Sequence, residues 1–430
     1  MRRFSWPMII LGLSLLLRLA YGIWRYPHLL PGDAASYWTE AGRLLADEAP
    51  GVYWPPGLPH WLALWRGLLG DAPWVAGLAS LFWWVVLFGQ MTWLSRDLLP
   101  RWRWGFLTLF SLYPAFVHQS VVPLTHLPVA CLLLAGLALL RAPLRRWRAG
   151  LLGLLLGLGA LFRPGLLALL PVLGGWVWWQ TGPLPTRGLA LLLLGLATAL
   201  PLGLWRAQAP ALRHRGALVN TATPYNVFLG NQPETPRYAT WWLGSHQARE
   251  APALAAYYAR LDSVWALPPA AQAPAFLTLA RRHVQQAPGR ALRRVWNRLK
   301  VFWAFDTLAG ATLSRRHPRG GRLVIAADAA CYLLLLSLVL LCLSTRGIGS
   351  GWRRWALGLV AAYALPYLLA FSHPTYHLPV LPLLALWASS QPAPAWPRGW
   401  ARWRFGLLLA GLLAIQGEWV WFWLHGPPYP

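Results

Sequence analysis

Asp33, His118, His126, Arg163, Arg206, Asn226, Asn231, His373, Tyr376 and His377 are the residues whose chemistry could bind a charged group and act on it. A carboxylate can take a proton from a hydroxyl, and a guanidinium can hold a phosphate through paired hydrogen bonds. The four histidines with Asp33 offer ligands to a divalent cation, but no HxxxH or HExxH spacing on one helix concentrates them. These residues are scattered along the chain, so only the fold can bring them together.

Asp33 opens the stretch from Leu30 to Trp61, which holds four of the twelve acidic residues: Asp33, Glu40, Asp47 and Glu48. After it, Ala34, Tyr37, Trp38, Ala41, Leu44 and Leu45 recur at helical spacing, which predicts an amphipathic helix along a membrane surface. Tyr53-Trp54-Pro55-Pro56 then turns the chain back. Simpler roles stand beside the chemical ones. Asp33 after Gly32 could cap the helix, Tyr37 and Tyr53 could be interfacial aromatics, and Arg163 and Arg206 could be anchors at span ends. Asn226 and Asn231, near Gly and Pro, have the composition of turns.

The 430 residues are 57% apolar and 12% charged, with apolar runs long enough to cross a bilayer core of roughly 30 Å. That composition predicts an all-α integral membrane protein. We place about eleven spans, at 6–24, 74–95, 104–118, 121–140, 149–162, 164–180, 186–205, 323–343, 355–371, 376–390 and 404–424. Pro114, Pro123 and Pro164 at the junctions predict broken or tilted helices whose freed backbone groups neighbouring protein satisfies. The three cysteines, Cys131, Cys331 and Cys342, lie in apolar runs and read as packing residues.

Basic residues outnumber acidic ones 38 to 12, for a net charge of +26, and Lys300 is the only lysine. The basic clusters lie between apolar spans, which points to topology and anionic membrane lipids and not to nucleic acid. A cytoplasmic N-terminus puts Arg96/Arg101/Arg103, Arg141/Arg145/Arg146/Arg148, Arg187, Arg346/Arg353/Arg354 and Arg398/Arg402/Arg404 on the inner side. The chain then divides into a membrane module, 1–205, with an external loop at 25–73; an external helical segment, 206–322; and C-terminal spans within 323–430. This topology carries the polar residues named at the outset to one non-cytoplasmic boundary.

The ordered pattern resembles the GT-C-fold glycosyltransferases, in the group that holds protein O-mannosyltransferases and aminoarabinose transferases. Gly32-Asp33-Ala34-Ala35-Ser36-Tyr37 is similar to their first-loop Asp and helix. Tyr53-Trp54-Pro55-Pro56-Gly57-Leu58-Pro59 resembles their Pro-Pro-Gly segment, and Phe162-Arg163-Pro164 their central Arg-Pro. The stretch Tyr225 to Glu234 is similar to their Asn-rich element, and Thr375-Tyr376-His377-Leu378-Pro379 to their Arg-Tyr-x-x-Pro. Two positions depart from the pattern: Ala34 follows Asp33 where many relatives carry a second acid, and Thr125-His126 stands where many carry a Glu.

The resemblance implies transfer of a sugar from a polyprenyl-phosphate donor to a cell-envelope lipid, glycan or protein on the outer face of a cytoplasmic membrane. Asp33 would be the base, with Tyr37, Tyr53, Arg163, Arg206, Asn231, Tyr376 and His377 around the substrates. Two other readings stay open, a ligase or polymerase using a diphosphate-linked oligosaccharide and a lipid or solute transporter; for the transporter, internal repeats are not evident.

Overall fold

The computed structural model describes residues 6–26, 28–98, 103–143, 145–180, 183–244, 246–349, 351–391 and 397–425. The chain is 81% helical, and no strand occurs among the described residues. The first part runs α1 (Trp6–Arg25), α2 (Asp33–Leu45), α3 (Gly57–Leu69), α4 (Pro73–Leu98), α5 (Arg103–Leu112), α6 (Pro114–Gln119), α7 (His126–Leu140) and α8 (Arg146–Phe162). A 3-10 turn at Pro164–Leu169 leads into α9 (Leu170–Trp179) and α10 (Leu184–Gln208). Short helices follow: α11 (Ala211–His214), α12 (Ala222–Gly230), α13 (His246–Glu250), α14 (Ala255–Trp265), α15 (Pro269–Gln286), α16 (Pro288–Phe302) and α17 (Leu308–Ser314). The chain closes with α18 (Pro318–Arg346), α19 (Trp352–Leu369), a 3-10 turn at Pro374–Val380, α20 (Leu381–Ser389) and α21 (Trp400–His425).

Among the described residues five helices, α1, α4, α10, α18 and α21, are long and apolar enough to cross a membrane. Their outward faces are greasy. On α10, Leu192, Leu196, Leu200 and Leu204 form an exposed stripe. Such a stripe suits hydrocarbon far better than water, so the fold fits a membrane-embedded protein. The other six apolar stretches expected from the sequence are shorter or broken helices.

Proline sets the breaks. Pro114 bars Tyr113 from helical geometry, leaving it extended at φ −60 and ψ 116, and 104–118 divides into α5 and α6. The freed N–H of Ala115 donates to Asp328 Oδ1 of α18 at 2.8 Å. Pro164 likewise leaves Arg163 extended between α8 and the 3-10 turn. These interruptions put polar side chains at helix ends inside the bundle.

The main core joins α4 through α9 with α18 to α20 around Trp84, Phe110, Phe116, Trp176 and Trp387. A smaller core, built on Phe228, Tyr257, Leu261 and Phe276, joins α12, α14 and α15. Arg298 of α16 ties the two regions, donating to the carbonyls of Gly230 and Ala370, each at 2.8 Å. Lys300 binds Glu418 Oε2 of α21 at 2.7 Å and the Tyr238 hydroxyl at 3.0 Å.

α8 crosses α10 at close range. Side chains at Gly153 and Gly157 would overlap the carbonyl oxygens of Leu194 and Thr198, so backbone meets backbone there. Gly157→Leu should force the pair apart and lower stability by about 1–3 kcal/mol. Thermal unfolding of the purified protein in detergent measures this, and an unchanged midpoint would contradict the crossing.

Candidate functional site

Asp33 is the first residue of α2. Gly32 before it takes a left-handed conformation, φ 51, that glycine adopts readily, and the helix has no side-chain cap. The Asp33 carboxylate is therefore not consumed as a cap. Among the described residues it has no hydrogen bond or ion pair. Its side chain is open to solvent, yet the surrounding protein desolvates it enough to push the carboxyl above its usual range, while Arg163 pulls it down. The carboxylate is thus both reachable from solvent and partly surrounded by protein.

The inner face of α2, with Ala34, Tyr37, Trp38 and Ala41, is buried against α3 and α4. Glu40 Oε1 accepts the Gly51 N–H, and Arg66 donates to the Trp38 carbonyl at 3.0 Å. These contacts hold the turn that carries Tyr53. The carbonyl of Val52 accepts the Thr221 N–H at 2.8 Å, and that of Tyr53 accepts Asn220 Nδ2 at 3.1 Å, so the turn docks on the start of α12. Trp54 lies between Tyr37 and Tyr53, its ring centroid 5.0 Å from each.

Arg163 lies opposite, between α8 and the 3-10 turn. Nε donates to Thr125 Oγ1 at 2.6 Å, one Nη to the Tyr367 hydroxyl at 3.1 Å and the other to His126 Nε2 at 2.9 Å. Arg163 can only donate, so His126 Nε2 must accept. The imidazole proton then sits on Nδ1 and goes to Gln119 Oε1 at 3.0 Å. The guanidinium also lies 4.7 Å from the Tyr376 ring centroid. All of these partners are uncharged groups, and among the described residues no carboxylate is bonded to Arg163.

The two halves share one electrostatic neighbourhood. Asp33 and Arg163 both act on Tyr37 and Tyr376, and Asp33 acts on Tyr53, whose hydroxyl is pushed up to about 12 by burial and then by that carboxylate. Asp33, Tyr37, Tyr53, Arg163 and Tyr376 thus converge. A carboxylate with no bonded partner and a cation held by uncharged groups thus lie within electrostatic range of each other and of Tyr37 and Tyr376.

The other sequence candidates land elsewhere. Arg206, half-buried in the last turn of α10, has no hydrogen bond to this group among the described residues. Asn231 is a brace: its amide donates to the carbonyls of Val227 and Leu369 at 2.8 and 3.0 Å, and its oxygen accepts from Arg298 at 3.3 Å. His377 is fully buried, donating from Nδ1 to the Phe302 carbonyl at 2.8 Å. His373 accepts the Thr375 N–H at 3.1 Å, and burial followed by Arg163 pushes it down to about 3, so it is neutral at ordinary pH. His118 pairs with the Tyr21 hydroxyl at 2.8 Å. Among the described residues no three His, Cys, Asp or Glu side chains gather as metal ligands. Thr125 and Tyr367 are the contacts of Arg163 that the sequence candidates omitted. The chain matches no protein-family profile, no curated protein and no solved structure.

Arg163→Lys keeps the charge but cannot reach three separate acceptors in one plane. It should lower stability by about 1–3 kcal/mol through the partners left unmatched. Equal unfolding midpoints for the two proteins in the same detergent would contradict this arrangement.

Proposed function

We propose that the chain is a multi-span membrane glycosyltransferase of the GT-C type. It moves a sugar from a polyprenyl-phosphate donor to a cell-envelope lipid, glycan or protein acceptor on the non-cytoplasmic face. One observation carries this reading: the unpaired Asp33 carboxylate lies within electrostatic reach of Arg163, whose hydrogen-bond partners are all neutral. A cation fixed by neutral partners keeps its charge for an anion.

The chemistry follows from the two charges. Asp33 accepts the proton of the acceptor hydroxyl as its oxygen attacks the anomeric carbon. The bond from that carbon to the phosphate oxygen breaks, and the electron pair leaves with the phosphate. Arg163 stabilises that anion as its charge develops, a role that favours fixed positive charge over a general acid. A single displacement inverts the anomeric centre. Leu166 and Leu169, on the turn that begins beside Arg163, line a small all-apolar cavity with Leu132, Leu156 and Leu173, surroundings suited to hydrocarbon. The departure at Thr125-His126 fits the same logic: where many GT-C glycosyltransferases carry a Glu, two neutral groups here hold Arg163 without neutralising it.

The test is transfer from labelled polyprenyl-phosphate sugars to envelope acceptors in membranes that hold wild-type protein or Asp33→Asn. Rate should fall about 10²–10⁴-fold in a variant that inserts normally, the usual worth of a general base. Undiminished transfer would remove Asp33 from the mechanism and favour a ligase reading. The pH profile adds a second check. Burial raises the Asp33 pKa and Arg163 lowers it, so the base is active above that pKa and lost as pH falls through it. Arg163→Gln removes the lowering influence and should move the acidic limb of its residual kcat/KM to higher pH; a limb that stays or moves down would contradict the pairing.

A further inference from the structure

A second set of cations lies apart from Arg163, where the end of α1 meets the junction of α17 and α18. Arg25, the last residue of α1, is 6% exposed, and among the described residues its buried Nε and one buried Nη have no hydrogen-bond partner. Among the described residues the groups that interact with it electrostatically are Tyr21, Arg316, Arg315 and His118, and none is a carboxylate. Trp24 holds the two stretches together: the Arg316 guanidinium lies 6.0 Å from its ring centroid and the His317 ring 6.3 Å away. Tyr21 stacks on Trp24, with ring centroids 5.8 Å apart. α18 starts at Pro318 with no side chain capping its first N–H groups, which adds a partial positive charge.

Like charges gathered around buried, unsatisfied N–H donors are costly unless an anion completes the set. We infer that Arg25, Arg315 and Arg316 form a binding site for a phosphate group, separate from the Arg163 site. A phosphate suits it because its oxygens can accept from several guanidinium donors at once. Position also favours this ligand. α1 ends at Arg25 and α18 begins just after Arg316, and both helices are long and apolar enough to cross a membrane, so the cluster sits at the level of lipid headgroups. The phosphate is that of a phospholipid or a soluble anion; the chemistry of recognition is the same.

The test uses the full-length protein in a neutral detergent, followed by thermal unfolding during titration with phosphatidylglycerol, diacylglycerol or inorganic phosphate. Phosphatidylglycerol should raise the midpoint saturably while diacylglycerol does not. Arg25→Gln should weaken the apparent affinity at least about tenfold, the effect of losing a charge-assisted hydrogen bond. The double change Arg315→Gln/Arg316→Gln, at exposed positions that leave the core untouched, should do the same and serves if Arg25→Gln folds poorly. An equal saturable shift from inorganic phosphate would support the site and assign it to a soluble anion. No phosphate-dependent shift, or unchanged affinity in the double variant, would overturn it.

Discussion

A guanidinium among apolar helices needs a hydrogen-bond acceptor for the N–H groups it turns away from water, and Arg163 meets that demand through Thr125, His126 and Tyr367. These three come from the start of α7 and from α19, so one side chain links elements far apart in sequence. The constraint spreads outward. His126 can accept only in one tautomer, which Gln119 fixes, and Tyr367 is itself placed by Tyr363, 3.3 Å away between hydroxyls, and by stacking on Phe302. Neutral partners satisfy the donors and leave the positive charge exposed to whatever anion arrives.

Asp33 is held by different means. It depends on the left-handed Gly32, on the buried face of α2 and on the brace from Glu40 to Gly51. The turn that follows is pinned to the segment before α12 through Val52 and Tyr53. Segment 206–322 therefore braces the turn that carries Tyr53 without supplying the Asp33 and Arg163 charges. Arg298 and Lys300 of α16 lock that segment to α19 and α21. In the proposed reaction the cation and the base come within electrostatic range because two separate scaffolds meet, one governed by a buried cation and one by an amphipathic helix.

Much of this was legible in the sequence, and the reasons differ by residue. Helical periodicity revealed α2, and Pro114 and Pro164 marked the breaks, because proline acts locally and does not depend on tertiary context. Asp33, Arg163 and Tyr376 could be named because polar residues beside apolar runs stand out, whereas Tyr37 and Tyr53 were named only through the GT-C resemblance. The span boundaries were less legible, since hydropathy does not distinguish one long helix from two short ones meeting at a turn. Tyr367 was hidden inside an apolar run; its spacing of four from Tyr363 was the available signal. Asn231 and His377 looked like site residues because a buried polar brace and a ligand-binding group share one composition, and only their partners tell them apart.

In the proposed reaction labour is divided, with Arg163 holding the phosphate and Asp33 acting on a proton. Equilibrium binding of radiolabelled polyprenyl phosphate to purified wild-type protein, Asp33→Asn and Arg163→Gln tests it most directly, since no acceptor or turnover is needed. Binding retained or strengthened in Asp33→Asn and lost in Arg163→Gln is the predicted result. Equal binding by wild-type protein and Arg163→Gln would contradict the assignment.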